Sequence, residues 1–216
     1  MNIMELIEAR HSVRQYTDRK IEPEKRAELD TLCKKINEES GMNIQMIYDE
    51  PKCFDSMMGH YGKFSGVGNY IAIVGPKGKD LDEKAGYYGE ELVLKAQELG
   101  LNTCWVAMTH GKSKAVINKG EKQAIIISLG YGVTQGVSHK SKDRDALAKV
   151  TETSPQWYLD GVKAALLAPT AMNQQKFAIE QAGEQAKITA SMAMYGKIDL
   201  GIVKYHFEAA SGHKTI

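Results

Sequence analysis

Three short apolar runs, each closed by turn residues, constrain the fold of this 216-residue chain more than any other feature. They cover residues 70–76, 103–108 and 124–129, and runs of this length are typical of buried strands. Between the first two runs, apolar residues recur at helical spacing over 81–99, and Gly100 follows where a left-handed residue would end a helix. Strands and helices mixed in this way, without a low-complexity linker, predict an α+β fold.

The rest of the chain carries further signals of the same two kinds. Pro23 begins an amphipathic pattern that ends near Gly41, and Ser154-Pro155 begins another that Pro169 stops. The remaining predictions are a short opening helix around Ile3 to Ile7, strands at 43–48, 177–180 and 187–190, a surface loop at 52–68, a polar helix at 112–119 and a closing helix at 198–210.

Composition excludes several classes of function. Lys and Arg (28) balance Asp and Glu (27), so the net charge of +1 provides no overall field that would attract nucleic acid or an anionic membrane. Three cysteines without C-x-x-C spacing are typical of a reducing compartment, and six scattered histidines predict no metal site. We find no export signal and no uncharged apolar stretch of ~18 residues, so we expect a cytoplasmic protein without a membrane span.

The strongest local motif is Arg10-His11-Ser12-Val13-Arg14, which follows the opening helix. A terminal phosphate carries about two negative charges and needs several donors. Two guanidiniums, a hydroxyl between them and the amides of a loop match that need. The alternative that this chemistry leaves open is a solvated basic turn.

Two other patterns have simple structural explanations. The segment Gly130-Tyr131-Gly132-Val133-Thr134-Gln135-Gly136 partly matches a dinucleotide fingerprint, but the residues after it do not begin an apolar-faced helix. A turn is therefore favoured there. Cys104 lies within an apolar run, which predicts a small buried residue rather than a nucleophile.

Several stretches together resemble a known family. The sequence from Ile3 to Glu8 followed by Arg-His-Ser-Val-Arg-x-Tyr is similar to the opening of the FMN-dependent nitroreductase family. The stretch from Gly89 to Val106 resembles the family's central helix and the strand behind it. Residues 127–147 resemble its late strand with a basic pair, and residues 168–175 resemble its Ala-Pro-Ser-Ala-x-Asn-x-Gln stretch.

The resemblance implies a nitroreductase-like fold, in which helices flank a central, mainly antiparallel sheet, and it implies non-covalently bound FMN. NADH or NADPH would be the reductant, and a small electron-poor acceptor such as a nitroaromatic or a quinone would be reduced in a ping-pong hydride cycle. No catalytic acid or base and no metal ligand is expected. The implied cofactor-binding residues are Arg10, His11, Ser12 and Arg14 with Lys142 and Arg144 at the phosphate, Trp105, Val106, Ala107 and Met108 near the ring, and Pro169, Thr170, Ala171 and Asn173, of which Asn173 would match the pyrimidine edge of the ring.

The resemblance leaves alternatives open. Other flavin chemistry of the superfamily, such as flavin reduction, dehalogenation or flavin fragmentation, is one alternative, and a non-catalytic flavin-binding domain is another. A small molecule is the expected partner. A homodimer is also expected, because most family members build the pocket at a two-fold interface, and a pseudo-dimeric monomer is the alternative.

A short pattern that occurs twice in the sequence bears on the choice between a homodimer and a pseudo-dimeric monomer. The patterns Met42-Asn43-x-Gln45 and Met172-Asn173-x-Gln175 each follow an amphipathic helix and precede a predicted strand. In the common family order the Ala-Pro-Ser stretch follows the second helix, where this chain has only the first copy. A single FMN-binding domain over 1–216, built of two degenerate half-repeats at about 1–110 and 111–216, would account for both observations.

Overall fold

Helices and strands are mixed along the whole chain, and the computed structural model describes all of its residues, 1–216. The helices are α1 (Ile3–Ala9), α2 (Pro23–Ser40), α3 (Met57–Tyr61), α4 (Leu81–Glu98), α5 (Arg144–Leu147), α6 (Gln156–Ala165) and α7 (Gly196–Ser211). The strands are β1 (Gln45–Ile47), β2 (Asn69–Pro76), β3 (Asn102–Val106), β4 (Glu121–Gly130), β5 (Phe177–Ala182) and β6 (Gln185–Ala190). The predicted α+β class with antiparallel pairing is confirmed.

Two compact units are assembled from interleaved segments of the chain. One, here the sheet unit, comprises Arg10–Leu81 and Leu92–Val137. The other, here the hairpin unit, comprises Met1–Ala9, Asp82–Glu91 and Ser138–Ile216. The expected single domain with half-repeats about residue 110 stays a prediction.

The sheet unit contains a four-stranded antiparallel sheet in the order β1-β2-β4-β3. The two inner strands carry the longest apolar runs, and their centres are fully buried where Ile71 pairs with Ile127. On β3, Trp105 pairs with the same Ile127. A strand buried on both faces reads as a continuous apolar run, which is why the sequence located β2 and β4 so clearly.

Helix α2 shows how the sequence sets the limits of an element. Pro23 occupies its first turn, where the missing N–H is not needed, and Leu29, Cys33 and Ile36 are buried along one face. Gly41 ends the helix in a left-handed conformation with φ of 70°, and its N–H donates to the carbonyl oxygen of Asn37.

The hairpin unit pairs β5 with β6 across a tight turn at Gly183, where φ is 66°. Helices α6 and α7 pack on each other, and Gly161 lies where its missing side chain gives room to the ring of Phe207. The last residues continue the hairpin, because Thr215 pairs with Ala186 in parallel.

The sequence prediction is wrong in one segment of the sheet unit and incomplete in another. Residues 112–119 form no helix. Their N–H groups are bound instead by side chains, since Lys114 donates to the hydroxyl of Tyr70 and Val116 donates to the side-chain oxygen of Gln45, both at 2.8 Å. The predicted loop at 52–68 contains the short helix α3, which Ser56 caps by accepting the N–H of Gly59. No helix is both long and apolar enough to cross a membrane.

Candidate functional site

The basic motif lies along β3 in the sheet unit. Ser12 pairs with Thr103 in a parallel bridge, and the N–H of Val13 donates to the carbonyl oxygen of Thr103 at 3.0 Å. Arg10 is buried, whereas Arg14 is exposed. The predicted phosphate segment and the predicted ring-facing strand are therefore neighbours.

The residues of the basic motif influence Cys104 on β3. The thiol is buried, as predicted for a core residue, and burial raises its pKa. The charges of Arg14 and Arg10 and a hydrogen bond with Ser12 act in the opposite direction. Residues of the basic motif therefore act electrostatically on this position of β3.

Tyr16 fixes the end of the motif. Its hydroxyl donates to the carbonyl oxygen of Val13 at 2.7 Å and lies 2.8 Å from Oγ of Ser128 on β4. Burial raises the pKa of Tyr16 well above its ordinary value, so the phenol stays protonated as a donor. The motif is held by β3 on one side and by β4 through this hydroxyl.

The glycine-rich segment after β4 covers the same motif. The N–H of Val133 donates to the carbonyl oxygen of Gln15, and a Cβ on Gly136 would lie 2.8 Å from Cβ of His11. Gly136 has φ of 76°, so both its conformation and this approach require glycine. No helix begins directly after the segment, in agreement with the predicted turn.

The predicted ring-facing residues lie where β3 ends. Trp105 is half-buried and Val106, the last residue of the strand, is buried. Ala107 and Met108 follow the end of the β3–β4 pairing, and the side chain of Met108 is exposed. Their main-chain groups lie beyond the regular ladder.

In the hairpin unit, the predicted ring-contacting stretch forms a strained turn. Met172, Asn173 and Gln175 have φ angles of 51°, 52° and 45°, in the left-handed region that non-glycine residues rarely adopt. Thr170 accepts the N–H of Gln175 at 3.0 Å through its side-chain oxygen. Such residues persist only where the surroundings hold them, and they concentrate at ligand sites.

The side chain of Asn173 is oriented by two contacts. Its Nδ2 donates to the carbonyl oxygen of Lys140 at 3.0 Å, and its Oδ1 accepts from Nε2 of Gln175 at 2.8 Å. A carboxamide has two N–H groups and two lone pairs on oxygen. One N–H and one lone pair therefore remain, which fits a ligand edge that presents an acceptor beside a donor.

The two basic residues of the late segment have different surroundings. The ammonium of Lys142 donates to the carbonyl oxygens of Gln174 at 2.8 Å and Gln175 at 3.1 Å, so this residue supports the strained turn. Arg144 is exposed and pairs with Asp145 at 2.9 Å. Their role at a phosphate stays a prediction.

Asp199, which sequence reasoning missed, and Gln175, which it noted only as part of a pattern, complete the turn. Asp199, in the first turn of α7, accepts the N–H of Ala171 at 2.9 Å, and the side chain of Gln175 is buried. Asp199 and Gln175 are polar and nearly inaccessible, but burial cannot be seen in a sequence. Pro169 and Thr170, which lead into the turn, are half-buried.

The two copies of the Met-Asn-x-Gln pattern have different structures. Met42 is buried, whereas Met172 is 80% exposed. Asn43 binds the carboxylate of Glu121 through Nδ2 at 3.0 Å. The early copy thus joins β1 to the segment before β4, and only the late copy forms a turn with left-handed residues.

This architecture is that of the nitroreductase-like α+β proteins. A solved structure from Thermotoga maritima, titled a "putative nitroreductase", is 25% identical and superposes with a TM-score of 0.72 over 97% of this chain and 83% of that chain. A solved structure from Desulfovibrio desulfuricans, described as a "putative nitroreductase" in complex with FMN, is 19% identical, with a TM-score of 0.54 over 71% of this chain and 98% of that chain. A structure from Clostridium acetobutylicum, titled a "Putative NADH Oxidase", is 16% identical, with a TM-score of 0.51 over 69% and 99% of the two chains. These last two show likeness of fold alone.

The family described as "Putative TM nitroreductase" matches residues 2–211. The chain therefore belongs to this nitroreductase family. No curated protein matches it.

Proposed function

We propose that the protein is an FMN-dependent oxidoreductase that transfers reducing equivalents from NADH or NADPH to a small electron-poor acceptor, a nitroaromatic or a quinone. The chemistry that bound FMN supplies is reversible hydride exchange, which amino-acid side chains do not perform. The protein's own contribution is to bind the cofactor and orient it. Phosphate recognition and ring-edge recognition are separate claims, and each is argued from contacts within one unit.

Phosphate recognition rests on the observation that carries the proposal, the alignment of the basic motif with β3. Ser12 pairs with Thr103 of that strand, and the charges of Arg14 and Arg10 act on its residue Cys104. Guanidinium groups form charge-assisted hydrogen bonds to phosphate and keep their charge at every physiological pH. Since Tyr16 holds the main chain of the motif at Val13, the loop that carries these residues is prearranged, which lowers the entropic cost of binding.

Ring-edge recognition is supported by Asn173. Its remaining N–H and lone pair suit the pyrimidine edge of a flavin, where donor and acceptor groups alternate. The strained turn supports this role, because a polar group held by buried neighbours retains its orientation when a ligand arrives. The main chain of Ala107 and Met108 is the corresponding candidate near the ring in the sheet unit.

The experiment begins with the visible spectrum of the purified protein. We expect a flavin spectrum that is retained on gel filtration, oxidation of NADH or NADPH by the holoprotein, and faster oxidation when a nitroaromatic or a quinone is added. A protein that binds FMN but oxidises neither nucleotide would be a flavin-binding domain without this activity. A protein that carries no flavin after incubation with excess FMN and removal of the free cofactor by gel filtration would contradict the proposal entirely.

Removing both arginines tests the phosphate claim. We expect R10A/R14A to weaken FMN binding by about a hundredfold or more, because hydrogen bonds to charged groups contribute about 1.5–3 kcal/mol each. Flavin fluorescence titration measures this loss. The matched control is K34A/K35A, which removes two positive charges from the exposed face of α2 and should leave affinity unchanged. Equal affinity in both variants would show that the phosphate lies elsewhere.

Location and assembly belong to the same proposal. We propose a cytoplasmic homodimer, and sedimentation of the holoprotein at several concentrations tests the assembly. A monomer that retains FMN would favour the pseudo-dimeric alternative.

A further inference from the structure

Asp199 accepts hydrogen bonds from both ends of the strained turn. Its Oδ1 accepts the N–H of Ala171 at 2.9 Å, and its Oδ2 accepts from Nε2 of Gln174 at 2.8 Å. Ala171 and Gln174 bracket Met172 and Asn173. One carboxylate on α7 therefore clamps the segment that presents the Asn173 amide.

The second contact of Gln174 makes a carboxylate necessary. Its Nε2 also donates to the carbonyl oxygen of Met194 at 2.8 Å, so both of its hydrogens are used on acceptors. An amide at position 199 would set N–H against N–H, and a rotation of the Gln174 amide would set its oxygen against the oxygen of Met194. Only a group that accepts at both oxygen atoms satisfies Ala171 and Gln174 together.

The position of Asp199 also isolates the clamp from solvent. The residue is 7% exposed, and Gln175, which holds the side chain of Asn173 directly, is 2% exposed. By contrast, the side chains of Met172 and Asn173 point to the surface. Buried polar groups beneath an exposed strained segment are the arrangement that holds a recognition group in a fixed orientation.

We propose that Asp199, acting through Ala171 and Gln174, is a positioning residue that orients Asn173 toward the pyrimidine edge of the flavin. This inference rests on the proposed function, since it assigns a role within the same binding site. It makes no claim that Asp199 touches the cofactor. Its consequence is selectivity for the edge of the ring rather than for the phosphate.

The test compares three ligands: FMN, FMN methylated at N3 of the pyrimidine edge, and riboflavin, which lacks the phosphate. The ratio of the affinities for FMN and N3-methyl FMN measures recognition of the edge, and the ratio for FMN and riboflavin measures recognition of the phosphate. We expect wild type to prefer FMN over the methylated ligand by about tenfold, the value of one hydrogen bond. In D199N this preference should fall to about one, while the preference for FMN over riboflavin is retained.

A carboxylate on the same helix provides the matched control. Glu208 binds Lys214 and Thr215 of the C-terminal segment and makes no contact with the strained turn. We expect E208Q to lower the melting temperature while keeping both affinity ratios. If E208Q loses the edge preference as D199N does, the effect is general destabilisation and the inference is overturned.

A second variant keeps the test decisive if D199N does not fold. Q174M retains the length of the side chain but removes both donors, so we expect it to reduce the edge preference as well. Edge preference equal to wild type in a folded D199N, or in Q174M when D199N is unfolded, overturns the inference. Absence of FMN binding by wild type would instead overturn the proposed function, and this inference would fall with it.

Discussion

At the scale of single residues, His206 and Glu90 form a fully buried contact within the hairpin unit. Both side chains are fully buried, and Nε2 of His206 lies 2.8 Å from Oε1 of Glu90. Nδ1 of His206 lies 3.0 Å from the carbonyl oxygen of Ala164, so this nitrogen carries a hydrogen and donates it. The imidazole therefore bridges the Ala164 carbonyl and the Glu90 carboxyl, and the contact depends on both partners.

Truncating the histidine should be costly. H206A leaves the buried Glu90 carboxyl without this partner, so we expect a loss of about 3–5 kcal/mol in the free energy of unfolding. Urea unfolding followed by circular dichroism measures it. The control is H60A, which removes an exposed histidine paired with Asp55 and should cost less than about 1 kcal/mol. A similar small cost for H206A would show that water or a neighbour replaces the imidazole.

The sequence revealed some of the important residues and not others, for a physical reason. Arg10, Ser12 and Arg14 are adjacent in the chain, so their shared chemistry is visible as a motif. Asp199 acquires its role from Ala171, 28 positions away, and neither residue type is unusual at its place. Contacts made by folding leave no local pattern.

At the scale of elements, α4 and α7 approach each other closely within the hairpin unit. A Cβ on Gly86 would lie 2.0 Å from the carbonyl oxygen of Ile198, and a Cβ on Gly201 would lie 2.0 Å from that of Glu83. The two helix backbones are in direct contact at these glycines. Neither main chain can move aside as the end of a flexible side chain could.

Alanine at this contact tests which of two opposing effects is larger. Replacing glycine within a helix by alanine gains about 1 kcal/mol of helix propensity, whereas overpacking a rigid contact costs about 1–3 kcal/mol and sometimes more. Since backbone atoms oppose the new methyl group, we expect G201A to lower the free energy of unfolding by about 2 kcal/mol or more. Chemical denaturation measures this change. G68A, where nothing lies within 4 Å, is the control and should be near neutral; a stabilised G201A would contradict the reasoning.

Helices and strands could be predicted from the sequence where burial imposes a regular spacing of apolar residues. Runs such as 124–129 became strands because both of their faces are covered, and the pattern after Pro23 became α2. The segment 112–119 was misjudged because polar residues at helical spacing do not distinguish a helix from a chain whose amides are bound by Tyr70 and Gln45.

For the whole molecule, the response to acid follows from carboxylates with lowered pKa values. A hydrogen bond from the hydroxyl of Tyr131, with a further one from Arg19, lowers the pKa of Glu22 to about 2, and the contact with Arg26 lowers that of Asp49. A carboxyl whose folded pKa is depressed stabilises the protein above its unfolded pKa and loses that contribution as pH falls through the folded value. Asp199 has the opposite sign, since burial raises its pKa.

The urea midpoint should therefore be nearly constant from pH 7 to about pH 5 and should fall steadily from there toward pH 2. Denaturation at a series of pH values measures this. In E22Q the decline should be shallower, because one of the depressed carboxyls is gone. An unchanged slope in E22Q would show that Glu22 titrates alike in the folded and unfolded chain.

The fold class of the whole molecule could be predicted from the sequence, but the way in which distant segments combine into its two units could not. Apolar periods and turn residues predict an α+β protein with antiparallel strands. Contacts between residues far apart in the chain place Met1–Ala9 in the same unit as Ser138–Ile216. They also divide the residues of α4 between the two units. Local patterns carry no information on such pairings.

The C-terminal segment has a consequence for how copies of this protein can meet. Ile216 donates to Ala186 on the outer side of β6 and accepts from Ile188, while Ala148 pairs with Ile179 on the outer side of β5. Each margin of the small hairpin is thus already occupied along part of its length by a stretch of its own polypeptide. Little unpaired main chain is left there for a strand of a second copy, so strand addition at these margins of the hairpin is disfavoured.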